Sequence, residues 1–115
     1  MVKYRVKQYG SIPPPYGGVA VFIKRLMLAL NTRGWICGAF YSQSMDCIPE
    51  SLNEYIDRFP RHSRSLFILP EIPRLLRILK KYDLIHSHLA LSSCFSTWIA
   101  HKLLKVPVVY TIHNQ

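Results

Sequence analysis

Acidic residues are scarce in this sequence. Six aspartates and glutamates stand against fifteen lysines and arginines, so the 115-residue chain carries a formal charge of +9. A balance this basic predicts attraction to anions such as nucleic acid, anionic lipid or phosphorylated metabolites. No nucleic-acid-binding motif organises the basic residues, and the aromatic side chains fall in core positions rather than between them. Nucleic acid is therefore not an expected partner.

Cysteines are also few, and long apolar runs are missing. Cys37, Cys47 and Cys94 form no C-x-x-C pair, which favours free thiols in a reducing cytoplasm. No stretch approaches the about 18 uncharged apolar residues that a membrane-spanning helix needs. The N-terminal sequence MVKYRVKQYG lacks the apolar segment of a secretory signal. We therefore expect a cytoplasmic protein of one modest domain, with a core drawn from the 50% of residues that are hydrophobic.

Short apolar strands alternate with helical patterns along the chain. Five segments are predicted as strands: Lys3–Gln8, Trp35–Tyr41, Leu66–Leu69, Leu84–His86 and Val106–His113. The predicted helices are Val19–Arg33, a short one around Ser51–Arg58, Ile72–Lys81 and Leu89–Leu104. This order predicts an α/β fold: a Rossmann-like open parallel sheet of about five strands with flanking helices.

Residue spacing also predicts which faces are buried. Charged and apolar residues alternate in the first strand, so its flank is expected to be partly open to solvent. Gly34 is expected to end the first helix in the left-handed conformation. Two apolar stripes are expected to face the core: Val19, Phe22, Ile23, Leu26 and Leu30 on the first helix, and Leu91, Phe95, Trp98, Ile99 and Leu103 on the last.

A proline-rich loop, IPPPYGGV, connects the first strand to the first helix. Its adjacent glycines, Gly17 and Gly18, either serve a tight turn that the fold requires or allow a ligand to approach the backbone. In the second case, the N–H groups at the helix start face a phosphate, a sugar diphosphate or a sugar hydroxyl. The loop is not the G-x-G-x-x-G fingerprint of dinucleotide-binding proteins. Tyr16 is expected to shape the loop or to stack on a sugar ring.

Histidines occur at the ends of two predicted strands. His86 and His88 are two residues apart, so both point the same way from an extended strand. His113 ends the neighbouring predicted strand, so the three imidazoles are expected near one edge of the sheet. No carboxylate or cysteine is placed to complete a metal site, which leaves structural histidines or histidines that contact a sugar. Asn114 and Ser87 are hydrogen-bonding candidates at the same edge.

Three motifs together resemble one family. They are PPPYGGV at the first strand–helix turn, YDLIHSHLALSS at the fourth strand and KVPVVYTIHNQ at the fifth. In this order, over essentially the whole chain, they resemble the N-terminal domain of family-4 retaining glycosyltransferases, which have the two-domain GT-B architecture. The resemblance implies transfer from a nucleotide-sugar donor to a saccharide or lipid-linked acceptor, with no cofactor and no metal.

The resemblance also implies roles for individual residues. In the family, the N-terminal domain mainly binds the acceptor, and the C-terminal domain holds most of the donor. Gly17 and Gly18 are then expected against the donor diphosphate and sugar. His113 is the expected catalytic residue at the donor sugar, and His88 is expected near the acceptor. Tyr16 and Asn114, named above from the residues themselves, belong to the same expected substrate-binding set.

The chain departs from the family pattern in its extent. Residues 1–115 correspond to the acceptor-side domain, expected to be incomplete, and the donor-binding domain with its pair of glutamates is absent from the sequence. We therefore expect these residues alone to be inactive and to need the donor-binding half as a partner. An exposed edge of the sheet would favour a homodimer.

A second class of function stays open, that of a non-catalytic Rossmann-like binding module. The segment PRLLRILKKY is basic and amphipathic. It is expected either as a helix packed on the sheet with a solvated charged face, or as a patch that adheres to an anionic membrane. In the second case each cation adds about 1 kcal/mol to binding. The protein would then lie at the inner face of the membrane.

Overall fold

The computed structural model describes residues 4–13, 17–42, 44, 48–58, 71–88 and 94–111. The elements in these ranges are β1 (Arg5–Ser11), α1 (Gly18–Thr32), β2 (Ile36–Tyr41), a 3-10 helix (Glu50–Tyr55), β3 (Ile56–Arg58), α2 (Ile72–Leu79), β4 (Leu84–Ser87), α3 (Cys94–Leu104) and β5 (Val108–Tyr110). Among the described helices, none combines the length and apolar character that crossing a membrane requires.

The five strands form one sheet in the order β3-β2-β1-β4-β5, and all neighbouring strands are parallel. The Rossmann-like open parallel sheet predicted from the sequence is therefore confirmed. Strands β2 and β3 lie on one side of β1 in the sheet, and β4 and β5 lie on the other side. The direction reverses between β1 and β4, which is where open α/β sheets form their binding crevice.

In the described part of the chain, the third strand is a segment that the sequence did not predict as a strand. Leu66–Leu69 lies outside the described residues, and β3 is formed by Ile56–Arg58, which the sequence placed in a short helix. Helical structure covers only Glu50–Tyr55, as a 3-10 helix, and the chain then pairs with β2 at Ala39. Ile56 is buried in the core. Strand pairing and burial therefore outweigh the weak helical pattern of this segment.

β1 lies at the centre of the sheet, and Val6–Gly10 is buried. The partly open flank predicted from its alternating charges is wrong, because the charge on this strand has partners inside the protein. Lys7 is fully buried, and its Nζ donates to Asp57 Oδ2 at 2.7 Å and to the Tyr55 carbonyl oxygen at 2.8 Å. The ammonium also lies 4.5 Å from the centroid of the Phe40 ring, a favourable cation–π contact.

Lys7 reaches Asp57 by crossing β2 at Gly38. Gly38 is the register partner of Lys7, and β3 lies on the far side of β2. A Cβ at Gly38 would lie 2.3 Å from the Tyr55 carbonyl oxygen and 2.7 Å from the Tyr82 hydroxyl. The missing side chain therefore leaves room for the contacts that tie the central strand to the edge strand.

Helix α1 buries a narrower face than its apolar stripe predicts. Ile23, from the stripe, and Met27, from outside it, are fully buried. Phe22 is 41% exposed, so its prediction as a core residue is wrong. The remaining three residues of the stripe are partly buried. Gly34 has a φ of +88°, which confirms the left-handed end predicted for this helix.

The apolar stripe of helix α3 does not face the sheet as predicted. Trp98 is 55% exposed and Leu103 is 66% exposed, so their prediction as core residues is wrong. Ile99 is partly buried. The other two residues of the stripe lie outside the described side chains: Leu91 and Phe95.

Pairs of hydroxyl groups explain why α3 turns polar residues toward the core. Ser96 and Thr97 are 3% and 0% exposed. Ser96 Oγ forms a 2.8 Å hydrogen bond with the Tyr9 hydroxyl, and Thr97 Oγ1 bonds the Tyr110 hydroxyl. Because each of these buried groups has a partner, its burial avoids the cost of an unsatisfied polar group. Apolar periodicity gives no signal for such pairs.

The core has two parts, one on each face of the sheet. Neighbouring residues of β2, Ala39 and Phe40, belong to different parts, as strand alternation requires. Helix α1 packs on one part, and helices α2 and α3 pack on the other. The sheet is therefore covered on both faces, and its carboxyl edge carries the loops that precede the helices.

Candidate functional site

The carboxyl ends of β1, β4 and β5 share one edge of the sheet, because these strands are parallel neighbours. Gly17 and Gly18 follow β1, His88 follows β4, and Thr111 follows β5. This edge contains the reversal of strand order between β1 and β4. The candidate residues that the structure describes therefore lie where the fold favours a binding crevice.

Gly17 and Gly18 form the start of α1. Gly17 is the N-cap residue, with φ −156° and ψ 167°, and its carbonyl oxygen accepts a hydrogen bond from Val21 N at 3.0 Å. Within the described residues, no side chain caps this helix end, and the first turn contains no acidic residue. The first N–H groups of α1 therefore face the loop side of the edge, where the helix dipole favours an anion.

Neither conformation nor packing requires glycine at these two positions. Gly17 has extended backbone that other residues also adopt, and the φ of Gly18 is not in the left-handed region. A Cβ at either position would meet no described atom within 4 Å. A tight turn that only glycine allows is therefore not supported. The space beside the two glycines is open for a ligand.

His88 is nearly enclosed, with 4% of its surface exposed. Its Nε2 forms a 2.6 Å hydrogen bond with Gln8 Oε1, and its ring stands edge-on to Phe22 of α1. Gly10 of β1 lies beside it, since a Cβ there would be 3.7 Å from His88 Cβ. His88 is thus a buried imidazole held between β1 and α1, next to the crevice.

His86 and His88 point the same way, as predicted for residues two apart in a strand. Their ring centroids are 4.1 Å apart, with the planes tilted by 45°. His86 Nε2 forms a 2.5 Å hydrogen bond with Thr111 Oγ1. Two imidazolium charges this close would repel each other, so simultaneous protonation is disfavoured. In the described part of the chain, no group of three or more His, Cys, Asp or Glu residues is arranged to hold a metal.

Three predicted site residues lie outside the described part of the chain: Tyr16, His113 and Asn114. Ser87 is described and fully buried. Because it lies between the two histidines in β4, its side chain points to the opposite face of the sheet. The structure therefore brings together the glycine pair and the histidine pair, and it separates Ser87 from them.

Sequence reasoning did not identify Gln8, which binds His88. Gln8 is fully buried in β1, and its register partner in β4 is His86. The Gln8 amide Nε2 also donates to Cys37 Sγ at 3.5 Å. A glutamine inside a central strand is a signal for a buried polar contact. The contact can be predicted from this glutamine only when β1 is known to be the central strand.

A basic groove of about 510 Å³ lies between β3 and helix α2. Helix α2 buries Leu75 and Leu79, so the segment PRLLRILKKY packs on the sheet with its charged face outward. This concentration of positive charge gives the groove an affinity for anions. Its lining consists of two arginines of α2, the two lysines that follow the helix, and two other residues: Arg74, Arg77, Lys80, Lys81, Ile78 and Asp57.

A family model matches most of the chain. It is described as Glycosyltransferase Family 4 and spans residues 16–115. No curated protein matches the chain. The matched range contains the glycine pair, the histidine pair and every candidate residue predicted from the sequence, whereas Gln8 precedes it.

Proposed function

The chain belongs to glycosyltransferase family 4, and we propose that it is the acceptor-side domain of a retaining transferase that uses a nucleotide-sugar donor. The acceptor is a saccharide or a lipid-linked molecule. One observation carries the proposal: α1 starts at the crevice between β1 and β4 with two glycines and with N–H groups that no described side chain caps. A sugar diphosphate supplies the negative charge that such a helix end binds.

Each site residue has a role in this proposal. The glycine pair contacts the donor phosphates and sugar, because its backbone is open to close approach. His113 contacts the reacting sugar, where a neutral imidazole orients a hydroxyl or supports developing positive charge. Tyr16 and Asn114 bind substrate beside it, and His88 lies near the acceptor. The proposal includes no metal, since basic side chains and helix N-termini stabilise the leaving diphosphate.

We also propose that transfer needs a donor-binding half and that residues 1–115 are inactive without it. The edge strand β5 supports such a partnership, because Val109 and Tyr110 are 49% and 41% exposed. An exposed edge strand is a surface that a second copy of the chain would cover equally well. The proposed location is the cytoplasm, where nucleotide sugars are the donors.

Titration with a panel of UDP-, GDP- and ADP-sugars tests the proposed function. We expect at least one to bind and to shift the amide resonances of Gly17 and Gly18. The double variant Gly17→Ala/Gly18→Ala is expected to weaken this binding about tenfold, since its methyl groups occupy the space beside the phosphates. The free energy of unfolding should change by less than about 1 kcal/mol, because no described atom lies within 4 Å of the new Cβ atoms.

Gly34→Ala is the matched control for this titration. Gly34 has a φ of +88° and an open environment, so alanine there costs about 1 kcal/mol of stability through backbone conformation alone. It ends α1 at the opposite end of the helix from the crevice, and we expect nucleotide-sugar binding to be unchanged. If no nucleotide sugar binds, with or without a donor-binding half, the transferase proposal fails.

A non-catalytic module that docks on an anionic membrane is the second candidate, and the basic groove is the observation that favours it. Arg77 in the last turn of α2, and Lys80 and Lys81 directly after the helix, are exposed and line this groove. Their side chains are free to reach a surface while Leu75 and Leu79 anchor the helix in the core. Each cation near an anionic bilayer adds about 1 kcal/mol to binding.

Co-sedimentation with vesicles of phosphatidylcholine and phosphatidylserine tests this second candidate. The variant Arg77→Glu/Lys80→Glu is expected to reduce the bound fraction at least tenfold, because it changes the local charge by four and reverses the field of the groove. Lys102→Glu/Lys105→Glu is the matched control, since both lysines are exposed outside the groove and this variant also changes the charge by four. Equal loss of binding in both variants would indicate a nonspecific effect of net charge and would contradict docking through α2.

A further inference from the structure

A buried glutamine connects a thiol to one of the site histidines. Gln8 lies on the central strand β1, and its side chain is fully buried between β2 and β4. Its amide Nε2 donates to Cys37 Sγ on β2 at 3.5 Å. Its Oε1 lies 2.6 Å from Nε2 of His88, which follows β4. One side chain thus joins three adjacent strands next to the crevice.

The thiol determines which way the amide of Gln8 faces. Cys37 Sγ donates to the Gly38 carbonyl oxygen at 3.9 Å, which leaves the sulfur lone pairs to accept a hydrogen bond. Burial raises the pKa of the Cys37 thiol to about 11, so the sulfur keeps its proton at neutral pH. Gln8 therefore directs its NH₂ group at the sulfur and its carbonyl oxygen at the imidazole.

We propose that Gln8 is a positioning residue that holds His88 in the tautomer with its proton on Nε2. An amide oxygen accepts hydrogen bonds and never donates them, so the 2.6 Å contact requires a proton on His88 Nε2. Nδ1 of the neutral ring is then an acceptor. The low exposure of His88 disfavours a charge on its ring.

The consequence of this tautomer for substrate binding rests on the proposed function. In this tautomer Nδ1 accepts hydrogen bonds and does not donate them, so its polarity suits a donating hydroxyl of the proposed acceptor substrate. Sugar hydroxyls can donate such a hydrogen bond. Gln8, on the other side of the ring, therefore determines that Nδ1 is the accepting nitrogen. Phe22, edge-on to His88, restricts the ring flip that would put Cε1 in the place of Nε2 and break the hydrogen bond to Gln8.

Nitrogen-15 NMR of the chain labelled at histidine measures the tautomer directly. We expect His88, assigned by loss of its signals in His88→Gln, to show a protonated Nε2 and an unprotonated Nδ1. Gln8→Leu removes the acceptor at similar volume, and we expect His88 to become a mixture of the two tautomers. Gln8→Glu keeps an acceptor oxygen, and we expect it to restore the Nε2–H form.

Thr111→Val is the matched control, because it removes the partner of His86 at the same edge and should leave the His88 signals in the Nε2–H pattern. If Gln8→Leu does not fold, Cys37→Ala replaces it. That variant deletes the sulfur that orients the amide, and the Nε2–H fraction should fall. An Nδ1–H tautomer in the native chain, or an unchanged His88 pattern in a folded Gln8→Leu, overturns the proposal. If the native chain shows the Nε2–H tautomer but binds no nucleotide sugar, the positioning role of Gln8 is supported and only the transferase function is contradicted.

Discussion

Replacing Gly38 with alanine is expected to lower the free energy of unfolding by more than about 3 kcal/mol, or to prevent folding. The new Cβ would lie 2.3 Å from the Tyr55 carbonyl oxygen and 2.7 Å from the Tyr82 hydroxyl. The first of these atoms is backbone, and it also accepts the hydrogen bond from Lys7 Nζ. Relief of the clash therefore requires a shift of the chain next to β3 and the loss of a buried contact. Urea unfolding followed by circular dichroism measures the loss.

Gly10→Ala in the neighbouring strand is the control for this substitution. Its Cβ would lie 2.6 Å from Ile23 Cδ1, the end of a flexible side chain that rotates away. We expect a cost of about 1 kcal/mol there. Adding Tyr82→Phe to Gly38→Ala removes one of the two close oxygens and should recover only part of the stability. A Gly38→Ala variant as stable as the native chain would show that the space above Gly38 is not needed.

Asp57→Ala is expected to lower the free energy of unfolding by about 2 to 3 kcal/mol. This is less than the loss expected on breaking a fully buried ion pair, because the two charges differ in burial. Lys7 is 0% exposed and Asp57 is 31% exposed. Loss of the carboxylate leaves an ammonium inside the protein, where the Tyr55 carbonyl and the Phe40 ring are weaker partners. Urea unfolding of the variant and the native chain at pH 7 gives the difference.

Lys7→Met should lower the free energy of unfolding by less than about 1 kcal/mol, although Lys7 is the more buried residue of the pair. Methionine fills the space of the lysine stem, and the exposed part of Asp57 stays hydrated. The Tyr82 hydroxyl still donates to the Tyr55 carbonyl at 3.5 Å. The double variant Lys7→Met/Asp57→Ala should resemble Lys7→Met, with a coupling of about 2 kcal/mol. Equal costs for the two single variants would contradict this asymmetry.

The pH dependence of the free energy of unfolding is a further test of the burial of Lys7 beside Asp57. Burial lowers the pKa of Lys7 from 10.5 to about 8, partly offset by Asp57. Above pH 8 the unfolded chain still binds the proton that folded Lys7 releases, so stability rises with pH, by about 1 kcal/mol from pH 8 to 9. Burial raises the pKa of Cys37 from 9.0 to about 11, so this group opposes the rise and nearly cancels it above pH 9. In Lys7→Met the rise between pH 8 and 9 should disappear.

Local patterns in the sequence were sufficient to predict much of the fold. Apolar runs separated by helical periodicity predicted a parallel sheet with helices, because consecutive parallel strands need a crossover. The position of Gly17 and Gly18 at a strand–helix turn was enough to place them at a helix start. The spacing of His86 and His88 was enough to align their side chains. Each of these features depends on residues close together in the chain.

Partners distant in the chain were not predictable in this way. Lys7 appeared to indicate an open flank, since its acceptor Asp57 lies two strands away across Gly38. Ser96 lies outside the apolar stripe predicted for the last helix, yet its hydroxyl pairs with Tyr9 in the core. Gln8 carried no local signal for its contacts on two neighbouring strands. These errors share one cause, because polar burial depends on which strands become neighbours.

Composition and periodicity by themselves determined a basic α/β domain with a pair of glycines at its first helix, and three motifs gave the resemblance to glycosyltransferase family 4 that the family model confirms. Tertiary structure alone decided that β1 is central, that a lysine and a glutamine are buried in it, and that the glutamine binds one of two neighbouring histidines. The physical reason is the range of the interactions. Periodicity in the sequence indicates only whether one face of a helix or strand is apolar. A buried polar group needs a hydrogen-bonding partner, and the order of the strands in the sheet determines which residue that is.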